Sequence, residues 1–378
     1  MPAILYSRAT IGGCLRRQLP GNERAWAVSA KGNLLEEAGQ AMPAFIIDVA
    51  HALPPRSVAN DELPSTLETD PQGIFKKTGI RSRHWAEKGV YTSDLGTEAA
   101  AKLIARTRID PRAIDCLIAT TQTPDHLIPG IGVSIQAKLG LENIPCFDLR
   151  NQCSGFLYAL QMARAFIANG TYSCILIVSA ELHSHGLGSE PRDAHITALF
   201  GDGAGAAIVC AQPKGNLPLK VVWQTLGADG RGAPLLRHRA FDMSLIPPWN
   251  QQSFGADPHA IIYPEMDGEA VFRTAVKRMV ASGQKCLKSL ELRADDVAWL
   301  LPHQANASIN KTVASILGFP AERVLGNIER VGNCSGASLP IMLSEALAEN
   351  RIARGEKLLL VAFGAGFTWG SALLEAQG

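Results

Sequence analysis

The chain has 378 residues, 47% of them hydrophobic, enough for a large buried core and for two domains. Lysine plus arginine (36) nearly balance aspartate plus glutamate (35), so no global basic field points to nucleic acid or an anionic membrane. No apolar run approaches the ~20 residues of a spanning helix, and eight scattered cysteines without a CxxC pair read as reduced and cytoplasmic, not as a disulfide framework.

Residues 1–41 show neither helical nor strand periodicity and read as a flexible N-terminal extension. Its arginine-rich start could suggest a transit peptide, but Glu23, Glu36 and Glu37 argue against one. From Met42 on, short apolar runs alternate with amphipathic stretches. The predicted strands are AFIIDVA, DCLIATT, CFDL, CILIVSA, AAIVCA, LKVVWQT, VAWLLP and KLLLVAF. The predicted helices span 94–109, 131–139, 155–168, 268–290, 305–317 and 337–351. Strands that are apolar without alternation imply a sheet covered by helices on both faces. Residues 221–262, rich in Gly, Pro and Arg, read as a long loop region.

The chain also repeats itself. NQCSG with its following apolar helix recurs as NCSG with a similar segment, CILIVSA recurs as KLLLVAF, and DCLIATTQTP recurs as DVAWLLPHQA. The offsets are 181, 183 and 181 residues, so two halves of one architecture are expected. On this alignment Cys334 holds in the second half the place of Cys153 in the first.

Three short stretches carry the chemistry: Cys153 in FDLRNQCSGF, His303 in LPHQAN and Asn333 in VGNCSG. A thiol, an imidazole and a carboxamide at separate strand ends suit carbon–carbon bond formation through a thioester. Cys153 follows a strand and opens a helix, where unpaired N–H groups and the helix dipole favour thiolate. GDGAGAA (201–207) lacks the Walker Lys-Ser/Thr and the dinucleotide spacing, and reads as a tight turn feeding a strand. His183, His185 and His195 with Glu181 have no fixed ligand geometry, so no metal is expected.

Together, FDLRNQCSGF, LFGDGAGAAIV, LPHQAN, VGNCSGASLP and FGAGFTWG resemble beta-ketoacyl-ACP synthase III, within the thiolase superfamily. The resemblance implies a five-layered αβαβα fold, α/β in class, with similar halves over 42–213 and 214–378, and a homodimer. It implies that Cys153 takes the acyl group and that His303 and Asn333 donate to the enolate oxygen formed when a malonyl thioester loses CO₂. The backbone N–H groups of Cys153 and Ala365 would form the oxyanion hole. Ile128, Phe367 and Asn306 would border the substrate pocket, with Ile128 contributed by the partner subunit. Acyl-CoA or acyl-carrier-protein thioesters are implied as substrates, and no cofactor is.

The sequence departs from the family's usual pattern near the site entrance. Family members commonly carry an Arg soon after HQAN and a Lys pair further along that helix, where this chain has Ser308, Ser315 and Ile316, with Lys311 the only nearby base. A Trp that stacks on the CoA adenine aligns with Gly73, and Arg150-Asn151-Gln152 replace small residues before Cys153. Two activities therefore compete. One is decarboxylating condensation. The other is acyl transfer, or condensation without decarboxylation, in secondary metabolism.

Overall fold

A computed structural model describes residues 42–238 and 264–377. The predicted extension (1–41) and most of the predicted long loop lie outside the described residues. Residues Met42–Gly378 form one compact unit.

Nine strands join in one mixed sheet: β1 (Phe45–Ala52), β2 (Cys116–Thr120), β3 (Cys146–Leu149), β4 (Cys174–Glu181), β5 (Gly203–Cys210), β6 (Leu219–Ala228), β7 (Trp299–Pro302), β8 (Lys357–Gly364) and β9 (Thr368–Ala376). Their order is β7-β8-β9-β6-β1-β5-β4-β2-β3. The two halves meet where β1 pairs with β6 through only two residue pairs, Phe45 with Lys220 and Ile46 with Leu219. The main helices are α1 (Pro71–Thr78), α2 (Thr92–Thr107), α3 (Ile131–Lys138), α4 (Gly155–Ala168), α5 (Gly268–Ser289), α6 (Ala307–Leu317) and α7 (Ser338–Ala348).

Strand alternation sorts the side chains into layers. Cys116 and Ile118 of β2 face a central core with α4 and α7, while Leu117 and Ala119 face an outer core with α2 and α3. In the second half, Leu358, Leu360 and Ala362 of β8 join the same central core, whereas Leu359, Val361 and Phe363 face α5 and α6. The layers are therefore helix, sheet, helix, sheet, helix, as expected of a thiolase-like fold. The central helices explain their own sequences. GFLYALQMARAFIA and SLPIMLSEALA are apolar nearly all round because sheets cover both sides.

Register corrects the repeat. Cys116 pairs with Ile175 and Trp299 with Leu358, while α4 starts at Gly155 and α7 at Ser338. All of these equivalences share an offset of 183, so the counterpart of Cys153 is Gly336, not Cys334. The repeated letters NCSG stand two residues out of structural step. Each half places a short 3₁₀ turn before its central helix, Gln152–Ser154 and Ser335–Ala337. Each turn opens on a non-glycine residue with left-handed backbone, Gln152 at φ 44° and Ser335 at φ 45°.

Three sequence expectations change. The strand expected at LKVVWQT runs on to Ala228, further into the predicted loop. Strand β9 escaped notice because TWGS breaks its apolar run, although it is mostly buried and pairs with β8 from Thr368 to Glu375. The helix expected from 305 starts at Ala307, because Asn306 stops the chain short in extended conformation and caps it, accepting a hydrogen bond from Ser308 N–H (2.8 Å).

Candidate active site

Cys153 lies in the turn ahead of α4 and is buried. Strand β8 ends against it. A Cβ placed on Gly364 would fall 2.9 Å from the Cys153 backbone nitrogen, so only glycine allows this approach. On the other side, Ser335 Oγ lies 3.4 Å from Cys153 Sγ. The thiol is thus held between a strand end and a turn that both belong to the second half.

Its charge state differs from the sequence expectation. Burial pushes the Cys153 thiol up to about 12, against the Ser335 hydrogen bond, which pulls it down, and the buried Glu181 raises it further. The sulfur sits two residues before the helix proper, and full desolvation outweighs the helix-end N–H groups that would favour thiolate. Cys153 rests as a thiol.

Asn333 is fixed through its backbone and its side chain. Its N–H donates to Leu199 O (2.9 Å), its carbonyl accepts from Gly201 N–H (3.1 Å), and its Oδ1 accepts from Ser335 N–H (2.8 Å). With the oxygen occupied, the amide NH₂ is the end left to donate. Gly336, the counterpart of Cys153, donates its N–H to Glu181 Oε1 (3.3 Å). Glu181 is fully buried at the end of β4, and its other oxygen accepts from Gln122 N–H (3.1 Å) and from the Thr123 hydroxyl (3.2 Å). Burial raises its carboxyl above the ordinary range.

His303 follows β7, and its N–H donates to Val361 O (2.8 Å) on β8, three residues before the Gly364 that abuts Cys153. The imidazole is buried, and neither ring nitrogen has a hydrogen-bond partner. Desolvation drops it to about 3, so it is neutral across the physiological range. Gln304 braces this corner. Its Nε2 donates to Pro302 O (2.7 Å) and its Oε1 accepts from Asn327 and Ile328 N–H (3.1 and 3.2 Å). Asn306 caps α6 and donates to Lys77 O (3.2 Å), tying α6 to α1.

Ala365 follows Gly364 directly, and its carbonyl accepts from Thr368 Oγ1 (3.2 Å), which in turn accepts from Ser154 Oγ (2.8 Å) beside the nucleophile. Ala365 is not among the residues with left-handed backbone, so its Cβ is tolerated there. Phe367 packs on Phe363 with ring centroids 4.8 Å apart, in the core under α5 and α6. Ile128 is 82% exposed in the single chain. His183 has both ring nitrogens engaged, with Gly201 O (3.0 Å) and with the Gln122 amide (2.7 Å). Cys334 is fully buried, with its thiol 3.5 Å from Asp202 O. Gly73 and Lys76 border a groove of about 640 Å³, and Lys311 and Ser315 of α6 border a second of about 710 Å³ that also reaches Phe75 and Gln304. Ser335, Gln304 and Gly364 were missed as site residues. All three stand inside the recognised motifs, but only the fold shows which of their atoms face the sulfur or its neighbours.

A buried thiol at the head of a central helix, with a neutral histidine and an oriented asparagine carried by the opposite half, defines a thiolase-fold condensing enzyme. Sequence models described as 3-oxoacyl-[acyl-carrier-protein] synthase III and as its C-terminal part match residues 147–230 and 287–376. Beta-ketoacyl-[acyl-carrier-protein] synthase III 3 of Streptomyces coelicolor is 38% identical over 329 residues, covering 85% of this chain and 94% of the relative. The 3-oxoacyl-[acyl-carrier-protein] synthase III structure from Aquifex aeolicus superposes with a TM-score of 0.78 at 31% identity, covering 88% and 99% of the two chains. The priming beta-ketosynthase of the R1128 polyketide pathway gives 0.79 at 29% identity, covering 90% and 99%. The chain belongs to the beta-ketoacyl-ACP synthase III family and is an acyl-transferring condensing enzyme.

The electrostatics give a direct test. With the thiol near 12, iodoacetamide should alkylate Cys153 at a rate rising about tenfold per pH unit between pH 7 and 9, with no plateau. Ser335→Ala keeps the N–H that holds Asn333 but removes the hydroxyl that stabilises thiolate, so it should slow alkylation about 10–100-fold at each pH. A wild-type plateau below pH 8 would show a thiolate already formed.

Proposed function

We propose that the enzyme loads an acyl group onto Cys153 and condenses it with a malonyl thioester that loses CO₂, giving a 3-oxoacyl thioester. The observation that carries this is the buried imidazole of His303, uncharged and with neither ring nitrogen hydrogen-bonded. A histidine meant to remove protons would need a value near neutrality. One held at about 3 serves as an N–H donor instead.

In loading, the Cys153 sulfur attacks the acyl carbonyl, the oxyanion accepts hydrogen bonds from the Cys153 and Ala365 N–H groups, and the donor thiol leaves. In the second step the malonyl carboxylate departs as CO₂, and its bonding electrons form an enolate whose oxygen is held by His303 and Asn333. The enolate carbon attacks the acyl carbonyl, and the tetrahedral intermediate expels the Cys153 sulfur, which regains its proton. The Cys153 proton leaves on the donor thiol during loading, and the expelled Cys153 sulfur takes one proton from solvent, so each turnover consumes one proton. Malonyl substrate labelled in the free carboxyl group tests the reading. Label appearing as CO₂ together with a new carbon–carbon bond supports it, whereas acyl transfer without CO₂ supports the acyltransferase alternative.

A homodimer completes the reading. Strand β3 is an edge of the sheet, paired only with β2, and exposed Leu127, Ile128 and Val133 lie in α3 and the segment leading into it, beside that edge. Open edges with apolar flanks suit pairing with a second copy. Among the described residues no helix is long and apolar enough to cross a membrane; the cytoplasmic reading rests on scattered cysteines without a disulfide framework.

The half-reactions should separate. His303→Ala and Asn333→Ala should each lower decarboxylation about 10²–10³-fold while sparing Cys153 acylation in single-turnover assays. Equal loss of both steps would make His303 a base for the thiol.

The entrance makes a second prediction. Arg231 pairs with Asp229 (2.7 Å), Arg237 with Glu265 (2.9 Å) and Arg81 with Glu329 (2.6 Å), so these arginines do not rebuild the basic patch that Ser308, Ser315 and Ile316 lack. Carrier docking relies on such charge for steering. The ratio of kcat/KM for malonyl-CoA to that for a generic acidic malonyl carrier should therefore favour CoA and change less than about threefold from low to high salt. Strong carrier preference that collapses with salt would show a basic patch elsewhere.

A further inference from the structure

Two cysteines outside the active site are set up to react with each other. Cys174 opens β4 and Cys210 closes β5, and they are register partners on these antiparallel strands with their sulfurs 2.8 Å apart. The neighbouring pair, Ser173 and Ala211, is the hydrogen-bonded one, since Ala211 N–H donates to Ser173 O (3.1 Å). Antiparallel pairs alternate, so Cys174 and Cys210 form a non-hydrogen-bonded pair, in which opposed Cα atoms stand about 4.5 Å apart and side chains approach closely. A disulfide accepts Cα separations from about 4.4 Å upward, so the strands already supply the geometry.

Both cysteines are buried, 6% exposed against 8% for Cys153, so what sets the pair apart is a second thiol in contact; Cys210 leads into the exposed residues 212–215 at the sheet rim. Hydrogen bonding with Cys174 lowers the Cys210 thiol against burial and Asp115, which raise it, and Lys214 lowers it further. Cys153 is different. It sits at the other end of the sheet, where β4 delivers Glu181 roughly 20 Å from Cys174, and burial holds it as a thiol.

We propose that Cys174 and Cys210 are an oxidisable dithiol that peroxide converts to a disulfide in the folded enzyme before it modifies Cys153. Cys210 thiolate attacks one peroxide oxygen, the O–O bond breaks, and hydroxide leaves to take up a proton as water. Cys174 then attacks the resulting sulfenic sulfur. The S–O bond breaks, the S–S bond forms, and the second oxygen leaves as water with the remaining proton. Two thiols lose two electrons and the peroxide gains them.

The test treats the full chain with one equivalent of hydrogen peroxide, caps free thiols with iodoacetamide in denaturant, and maps peptides by mass spectrometry. The expected product is a Cys174–Cys210 cross-linked peptide lacking two hydrogens, with Cys153 recovered alkylated and acyl loading retained. Cys174→Ala and Cys210→Ala should each abolish the cross-link, and either suffices should the other fail to fold. Oxidation of Cys153 ahead of the pair, or a cross-link formed only when peroxide is added in denaturant, would overturn the proposal.

Discussion

The site depends on how closely the end of β8 approaches the turn that carries Cys153. Gly364 allows that approach because a side chain there would strike the Cys153 backbone. The duplication repeats the contact in mirror order. The counterpart of Gly364 is Glu181, at the end of β4, and the counterpart of Cys153 is Gly336. These two also touch, through Gly336 N–H and Glu181 Oε1. Each half thus lays a strand end against the other half's turn. At one crossing a bare glycine leaves room for a sulfur. At the other a carboxyl fills the space, accepting hydrogen bonds from Gly336, Gln122 and Thr123. One crossing presents a thiol and the other is a brace.

Burial sets the chemistry that this geometry serves. The thiol and the imidazole are both driven toward their neutral forms, the thiol upward and the histidine downward. A neutral thiol puts no standing negative charge in the way of a carboxylate, and a neutral imidazole is an N–H donor that stabilises negative charge as it develops. The same burial makes Ser335 important, because its hydroxyl is the side-chain hydrogen-bond partner of the Cys153 sulfur.

Much of this was legible in the sequence. Cys153, His303 and Asn333 announce themselves in compact motifs, and uninterrupted runs such as CILIVSA reveal a sheet covered on both faces. The repeat was visible too, but NCSG matched NQCSG letter for letter and hid a two-residue step that only strand register exposes. Strand β9 was lost because Gly370 and Ser371 interrupt its apolar run. They face Thr225 and Leu226 of a neighbouring strand, which is information about partners, not about local pattern. The charge states could not be read at all. A cysteine at a helix head suggests thiolate, and its burial by Ser335 and Gly364, some 180 to 210 residues further along, is a property of the assembled halves.

The central claim is that Cys153 captures the acyl group, and intact-protein mass spectrometry after exposure to a panel of acyl-CoAs tests it most directly. The account predicts one added acyl mass, mapped to the Cys153 peptide, released by hydroxylamine and absent from Cys153→Ser, since a hydroxyl is a far weaker nucleophile near neutral pH. An acyl group mapped to another residue, or an equal yield from the serine variant, would contradict it.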